Sequence, residues 1–366
     1  MKMGFISAIR YFLCLGILTA ALPASVGAQA AWQQEWEQVL KAAKKEGKVA
    51  VLGPTGNHRR DALVIPFQKQ YGITVEYKGD RGSGVPPLIG AQQRAGHYLW
   101  DVFVGGTTTG LTSLIPMNAL QPMDPFLIFP DVKDPKTWRS GAMEFVDPGR
   151  QTLVMSPSQR ATVFVHKDMK PGTLKSYKDL LDPKWKGKIV ADDPRSAGPG
   201  QATFAFFYLH PDLGPDFIRA LVRQDMLIIK NYNQEIDFIG QGKYSILLGT
   251  SDSTAEDRMK QGIPIRIMDP RELKEGSDIS PASGAVSIFA RAPHPNATKV
   301  YLNWLLSKEG QTSFVQAAGY ISARLDVPTD HSPWRVPIPG AVKTYDQAAM
   351  DVKDEVVAFM RKVLAK

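Results

Sequence analysis

The residues of this chain that are equipped for chemistry sit in short polar loops, each following a short apolar run. Val49–Leu52 leads into Thr55, Gly56 and Asn57, and the run ending at Tyr77 leads into Arg81 and Ser83. Val102–Val104 leads into Gly106, Thr107 and Thr108; Lys188–Ala191 into Asp193, Arg195 and Ser196; Tyr244–Gly249 into Thr250, Ser251, Asp252 and Ser253. Arg160 stands just before another apolar run, Ala161–Val165. Hydroxyls, backbone amides and planar guanidinium forks are the groups that hold carboxylates and phosphates. Asp193 and Asp252 leave room for an amine on the same ligand, although each also reads as the cap of a following helix. Arg160 has two readings, one against a bound anion and one in an interdomain ion pair with a carboxylate.

Motifs of catalysis are missing from the sequence. There is no HExxH, no EF-hand loop, no phosphate-binding GxxxxGK[ST] and no GxSxG, and the six histidines are scattered without metal-ligand spacing. Gly82-Ser83-Gly84 lacks the third glycine of a dinucleotide fingerprint and runs into Pro86-Pro87. His58, near Asp61, keeps a periplasmic hydrolase or lyase open as an alternative of another class. No cofactor and no metal are expected.

Apolar runs that end in small polar residues and are followed by helix-compatible segments are the pattern of α/β units, in which ligands collect at the carboxyl ends of the strands. Any one of these loops is accounted for as a helix-capping turn; the set of them points to one shared cleft. The gap between the loops ending near Thr109 and those starting near Asp193 divides the chain into two lobes. Ala161–Val165 and Ala285–Ala290 are the expected crossing strands. The segment Ser283–Gln311 reads as a buried strand, a turn set by Pro293 and Pro295, and an amphipathic helix with Val300, Tyr301, Trp304 and Leu305 inward, Lys308 in its last turn and Gly310 at its end. Val327–Gly340 reads as a wrapping connector and Thr344–Lys366 as a final docking helix.

Lys2 and Arg10, the apolar run Tyr11–Leu22 and the small-residue stretch ending at Ala28-Gln29-Ala30 read as a secretory leader cleaved near Ala30. The single cysteine, Cys14, would leave with it, so the exported chain has no disulfide and no thiolate chemistry. Loss of Lys2 and Arg10 lowers the formal charge from +8 to +6, and the remaining charges are scattered without aromatic interleaving, which argues against nucleic acid.

The wording of Ser283–Gln311, with its "APHPNA" turn and "LLSKEGQ" end, closely resembles the late segment of bacterial extracellular solute-binding proteins, the family that includes ferric-iron, thiamine, polyamine and phosphonate binding proteins of ABC importers. Ser176–Asp193 (SYKDLLDPKWKGKIVADD) is similar to the same family at the corresponding place. The resemblance implies a two-lobed α/β periplasmic-binding-protein fold (type II, Venus flytrap) with hinge strands between the lobes. With it come residues 31–158 and 282–325 in lobe 1, and 159–281 and 326–366 in lobe 2, after a signal peptide of residues 1–30. It also implies a periplasmic, monomeric receptor whose partners are a small-molecule ligand and an inner-membrane ABC permease, or else a sensory partner. Relatives that bind ferric iron carry a consecutive tyrosine pair on the loop where this chain has Asp252-Ser253. That leaves a ferric-anion receptor as the alternative within the class and a small polar, anionic organic ligand as the leading expectation.

Overall fold

The computed structural model describes residues 24–80, 82–196 and 198–365. The leader assigned to residues 1–30 therefore lies outside the described residues as far as residue 23. Thirteen strands are present among the described residues: β1 (Lys48–Gly53), β2 (Thr74–Gly79), β3 (Val102–Gly105), β4 (Leu120–Gln121), β5 (Thr152–Val154), β6 (Ser158–Gln159), β7 (Val163–His166), β8 (Ile189–Asp192), β9 (Leu227–Ile229), β10 (Ile246–Leu248), β11 (Ile265–Ile267), β12 (Ile279–Ser280) and β13 (Ala285–Phe289).

They form two sheets joined by a ribbon. In lobe 1 the order is β2-β1-β3-β13-β4, with β5 also on β13; β1, β2 and β3 run parallel and β13 is antiparallel to its neighbours. In lobe 2 the order is β11-β7-β10-β8-β9, with β8, β9 and β10 parallel. Central strands covered by helices on both faces need apolar residues at every position, and β3 and β13 are buried throughout. Each sheet has its own core, one around Phe67, Tyr301, Trp304 and Phe314, the other around Tyr177, Phe204, Phe207 and Ile218.

The two lobes meet at β6 and β12, which pair antiparallel through Gln159–Ile279 and Ser158–Ser280. This corrects the expected crossings. β7 lies inside the lobe 2 sheet and β13 inside the lobe 1 sheet, because apolar strands of that length are stabilised by burial on both faces. The actual crossings are two-residue, largely polar segments just ahead of them, which carry no hydropathy signal. Buried Gln159 binds them together: its amide nitrogen donates to the Ser277 carbonyl (2.8 Å) and hydroxyl (2.9 Å), and its amide oxygen accepts from the Ile338 N–H (2.8 Å). Ile279 N–H donates to the Val342 carbonyl (2.9 Å), so the connector runs beside the ribbon as a third strand of chain.

The "APHPNA" wording has a physical basis. The fully buried Asp101 carboxylate accepts from the Ala50 N–H (2.7 Å) and the His294 N–H (2.8 Å) and sits 2.8 Å from His294 Nδ1, tying β1, the start of β3 and the turn after β13. Pro295 opens the next helix, which ends at Leu306, earlier than expected. The Ser307 hydroxyl accepts from the Gly310 N–H (3.3 Å), starting a second helix, Lys308–Ala318. Gly310 does not terminate a helix; it lies where two helices cross, and a Cβ there would come 2.1 Å from the Trp304 carbonyl oxygen. The expected C-terminal helix is likewise two, Gln347–Asp351 and Lys353–Leu364, the latter packing Val356 and Met360 into the lobe 2 core.

Candidate functional site

A cleft of about 660 Å³ opens beside the ribbon, with walls from both lobes. Lobe 1 contributes Arg59, Ala282, Ala318 and Tyr320, the ribbon contributes Ser158 and Ser280, and lobe 2 contributes Arg160, Pro199, Thr250–Ser253 and Glu256, with Arg335 arriving from the connector.

On the lobe 2 wall, β10 ends and Gly249, at φ 70°, turns the chain into the helix Asp252–Lys260, whose cap is the Ser251 hydroxyl accepting from the Thr254 N–H (3.3 Å). Asp252 and Glu256 are four residues apart on that helix and so share a face. Arg335, with only 6% of its side chain exposed, lies across both: Nη1 donates to Asp252 Oδ2 (3.1 Å) and Nη2 to Glu256 Oε1 (2.9 Å). Burial pushes the Asp252 carboxyl up, against the pull of Arg335 and Arg160. Arg160 donates to Asp278 Oδ2 (3.3 Å) and to the Pro199 carbonyl (3.3 Å), while the Thr344 hydroxyl donates to the same Asp278 oxygen (2.7 Å). Arg160 is thus in an ion pair, but with a carboxylate of its own lobe and not across the lobes as expected, and its guanidinium borders the cleft.

Beneath this wall lies Glu235, fully buried on the helix Tyr232–Gly240, with one oxygen accepting from the Asn231 N–H (3.2 Å) and Oε2 without a partner. Burial, reinforced by the nearby Asp192 charge, pushes its carboxyl up to about 7. Thr250, equally buried, directs its hydroxyl to the Glu235 carboxyl and opposes that rise.

On the lobe 1 wall, Gly56 at φ 107° lets the chain turn into the helix Asn57–Tyr71, and Arg59 lies in that helix's first turn. Its guanidinium stands 5.7 Å from the centre of the Tyr320 ring and makes no ion pair or hydrogen bond among the described residues. Tyr320 is held from behind by His331, whose Nε2 is 2.7 Å from its carbonyl. Gly319, at φ 69°, ends the helix before it; a Cβ there would stand 3.9 Å from Glu256 Oε2, so the two walls approach each other at this point.

Of the residues singled out in the sequence, the structure places Arg160, Thr250, Ser251, Asp252 and Ser253 on this cleft. Thr55, Gly56, Asn57 and Ser83 are exposed outside its lining, and Arg81 lies outside the described residues. Thr107 is buried, Thr108 faces Met350 (3.9 Å), and Gly106 packs near the Ala282 carbonyl, where a Cβ would meet it at 3.2 Å. Arg195 folds back on Asp193 (2.8 Å) and borders a separate cavity with Val222, Met226, Ile228 and Leu364; Ser196 stays in that turn. His58 is exposed at the start of its helix. Arg59, Glu256, Tyr320 and Arg335 were not singled out. Arg59 is two residues past a named loop and Glu256 one helical turn past Asp252, so extending each loop into its helix would have found both, whereas nothing local marks Arg335. Among the described residues no cluster of three or more His, Cys, Asp or Glu is placed to hold a metal ion.

Two α/β lobes, a short ribbon between them and a cleft at the ribbon define the class of two-lobed periplasmic binding proteins. The family model for bacterial extracellular solute-binding proteins matches residues 62–338, and the chain belongs to that family. An "uncharacterized protein" of Haemophilus influenzae is 30% identical over 140 residues, which is 37% of this chain and 38% of that relative. The match therefore spans well under two thirds of that relative's length. Among solved structures, the fold is similar to that of IdiA (FutA) of Trichodesmium in complex with iron and citrate (TM-score 0.66, 18% identity, 87% of this chain and 100% of that one). It is also similar to the periplasmic binding protein AfuA of Actinobacillus pleuropneumoniae with exogenous fructose-6-phosphate bound (TM-score 0.58, 18% identity, 86% and 97%).

Proposed function

We propose that this protein is a periplasmic receptor that captures a small polar, anionic organic solute between its lobes and presents it to an inner-membrane ABC permease. The observation that carries the reading is the cleft itself, bounded by both lobes and holding a guanidinium, Arg59, that has no counter-charge. A solute touching both walls favours the conformation that brings them together, and a permease that recognises that conformation receives only loaded receptor. Binding alone accounts for the groups present, and the exposed His58 has no partner in a nucleophilic or acid–base arrangement among the described residues. A ferric cargo is less well supported, since the loop Thr250–Thr254 carries no phenolate and its carboxylates are already engaged by Arg335. The exported chain begins near Ala31 and acts as a monomer.

Native mass spectrometry of freshly purified periplasmic protein tests this reading. A co-purifying small organic anion, recovered unchanged after long incubation and raising Tm when added back, is the expected result. Turnover of the bound compound would replace the receptor with an enzyme, and a retained leader in the intact mass would overturn the assigned compartment.

A further inference from the structure

Three guanidiniums border the cleft, but they do not offer the same thing to a solute. Arg335 has donated both ends of its fork to Asp252 and Glu256, and Arg160 has donated to Asp278 and the Pro199 carbonyl. Only Arg59 retains its fork. Lobe 2 therefore holds two guanidiniums against three carboxylates, Asp252, Glu256 and Asp278, while lobe 1 faces them with one guanidinium and an aromatic ring. The cleft is polarised, positive on the lobe 1 side and rich in acceptors on the lobe 2 side. Glu256 Oε2 lies 3.9 Å from where a Cβ on Gly319 of lobe 1 would stand, and the hydroxyls of Ser251 and Ser253, 3.2 Å from each other, line the same cleft.

We infer that the cargo carries a single acid group, held by Arg59 from lobe 1, and hydrogen-bond donors at its other end, received by Glu256 and the Ser253 hydroxyl of lobe 2. The inference rests on the receptor reading above and narrows it. One acid group matches the one unmatched fork, as a bidentate pair with a guanidinium. A second would have to lie against Asp252 and Glu256, where like charges repel. Hydroxyl or ammonium donors share the chemistry that the lobe 2 acceptors require, and the two sources separate by experiment.

The test is titration calorimetry with two matched pairs of probes: gluconate against glucarate, in which a terminal CH2OH becomes a carboxylate on a polyhydroxy chain, and homoserine against aspartate, which differ in the same way on an amine-bearing chain. At least one of the single-acid members should bind at least tenfold more tightly than its two-acid partner. The pair in which this occurs tells hydroxyl donors from ammonium. Arg59→Gln should weaken that binding by more than tenfold with unchanged circular dichroism and Tm, and Arg59→Lys should recover only part of it, because a point charge lacks the fork. Preference for a two-acid member, binding of none of the four, or unchanged affinity in Arg59→Gln each overturn the inference. All three leave the receptor reading standing so long as a solute co-purifies and stabilises the protein. A protein that carries and is stabilised by no solute at all overturns the receptor reading itself.

Discussion

On the lobe 2 wall of the cleft each guanidinium already has its carboxylate, whereas on the lobe 1 wall Arg59 has a tyrosine ring beside it and no counter-charge. The same residue type thus does two jobs on opposite walls of one cleft. Arg335 and Arg160 fasten a connector and a ribbon to a lobe, so removing them strips the partner from a buried acid. Removing Arg59 strips nothing from the free protein. Charge at a cleft is therefore a poor guide to ligand contacts until the internal partners are counted.

The sharpest way to break this contrast is Arg335→Ala. It leaves the partly buried Asp252 and Glu256 without their shared counter-charge, and loss of one side of a buried pair typically costs about 3–5 kcal/mol. Urea unfolding should show that loss, and a stability change under about 0.5 kcal/mol would mean that the lobe 2 wall is not structural. Arg160→Ala should cost less, about 2–3 kcal/mol, because its contacts are longer and Thr344 continues to donate to Asp278. Any accompanying loss of affinity should follow from the altered ribbon and be shared by Asp278→Asn. An Arg160→Ala variant of normal stability that had lost its ligand would return Arg160 to the role of anion holder.

Glu235 sharpens the contrast from beneath. Its carboxyl titrates at about 7 when folded and near 4.5 when unfolded, so between those values the native state holds more protons. Stability is then greatest with Glu235 protonated and falls as pH rises from about 4.5 through about 7, by an amount on the order of 2 kcal/mol. Glu235→Gln should flatten that part of a Tm against pH profile and be the more stable protein at pH 8. A wild-type profile level across this range would show that the group titrates elsewhere. The smallest effect expected is from Gly319→Ala, about 1 kcal/mol from the left-handed backbone, with a Cβ that only reaches ordinary contact distance from Glu256. A larger loss would mean that the walls meet more tightly than their separation indicates.

How much of this was legible beforehand follows from where each signal resides. Val49–Leu52 and Ala285–Ala290 read as strands because sustained burial leaves a hydropathy trace, the second ending one residue earlier, at Phe289. The ribbon left none, since Ser158-Gln159 and Ile279-Ser280 pair through backbone and three of these four residues are ordinary surface types. Ser307 broke a helix that periodicity carried on through Lys308, because a hydroxyl reaching the Gly310 N–H is a local contact that a count of apolar spacing does not see. At the site, loop composition located Thr250–Ser253 but stopped at the first helical residue, short of Arg59 and Glu256. Arg335 lies 83 residues from its partner Asp252 on a proline-rich stretch, and only the folded chain brings the two together.

The buried amide of Gln159 has a further effect. By joining Ser158-Gln159 to Ser277 on one side and to Ile338 on the other, it couples three passages of the chain where the two lobes meet. Two bodies linked this way have surrendered nearly all their mutual translation and tumbling before any solute arrives, so the entropy of bringing the walls together is lost at folding and not at capture. We expect a handful of contacts to suffice for tight retention in such a molecule, and a defect at Gln159 to weaken every solute alike.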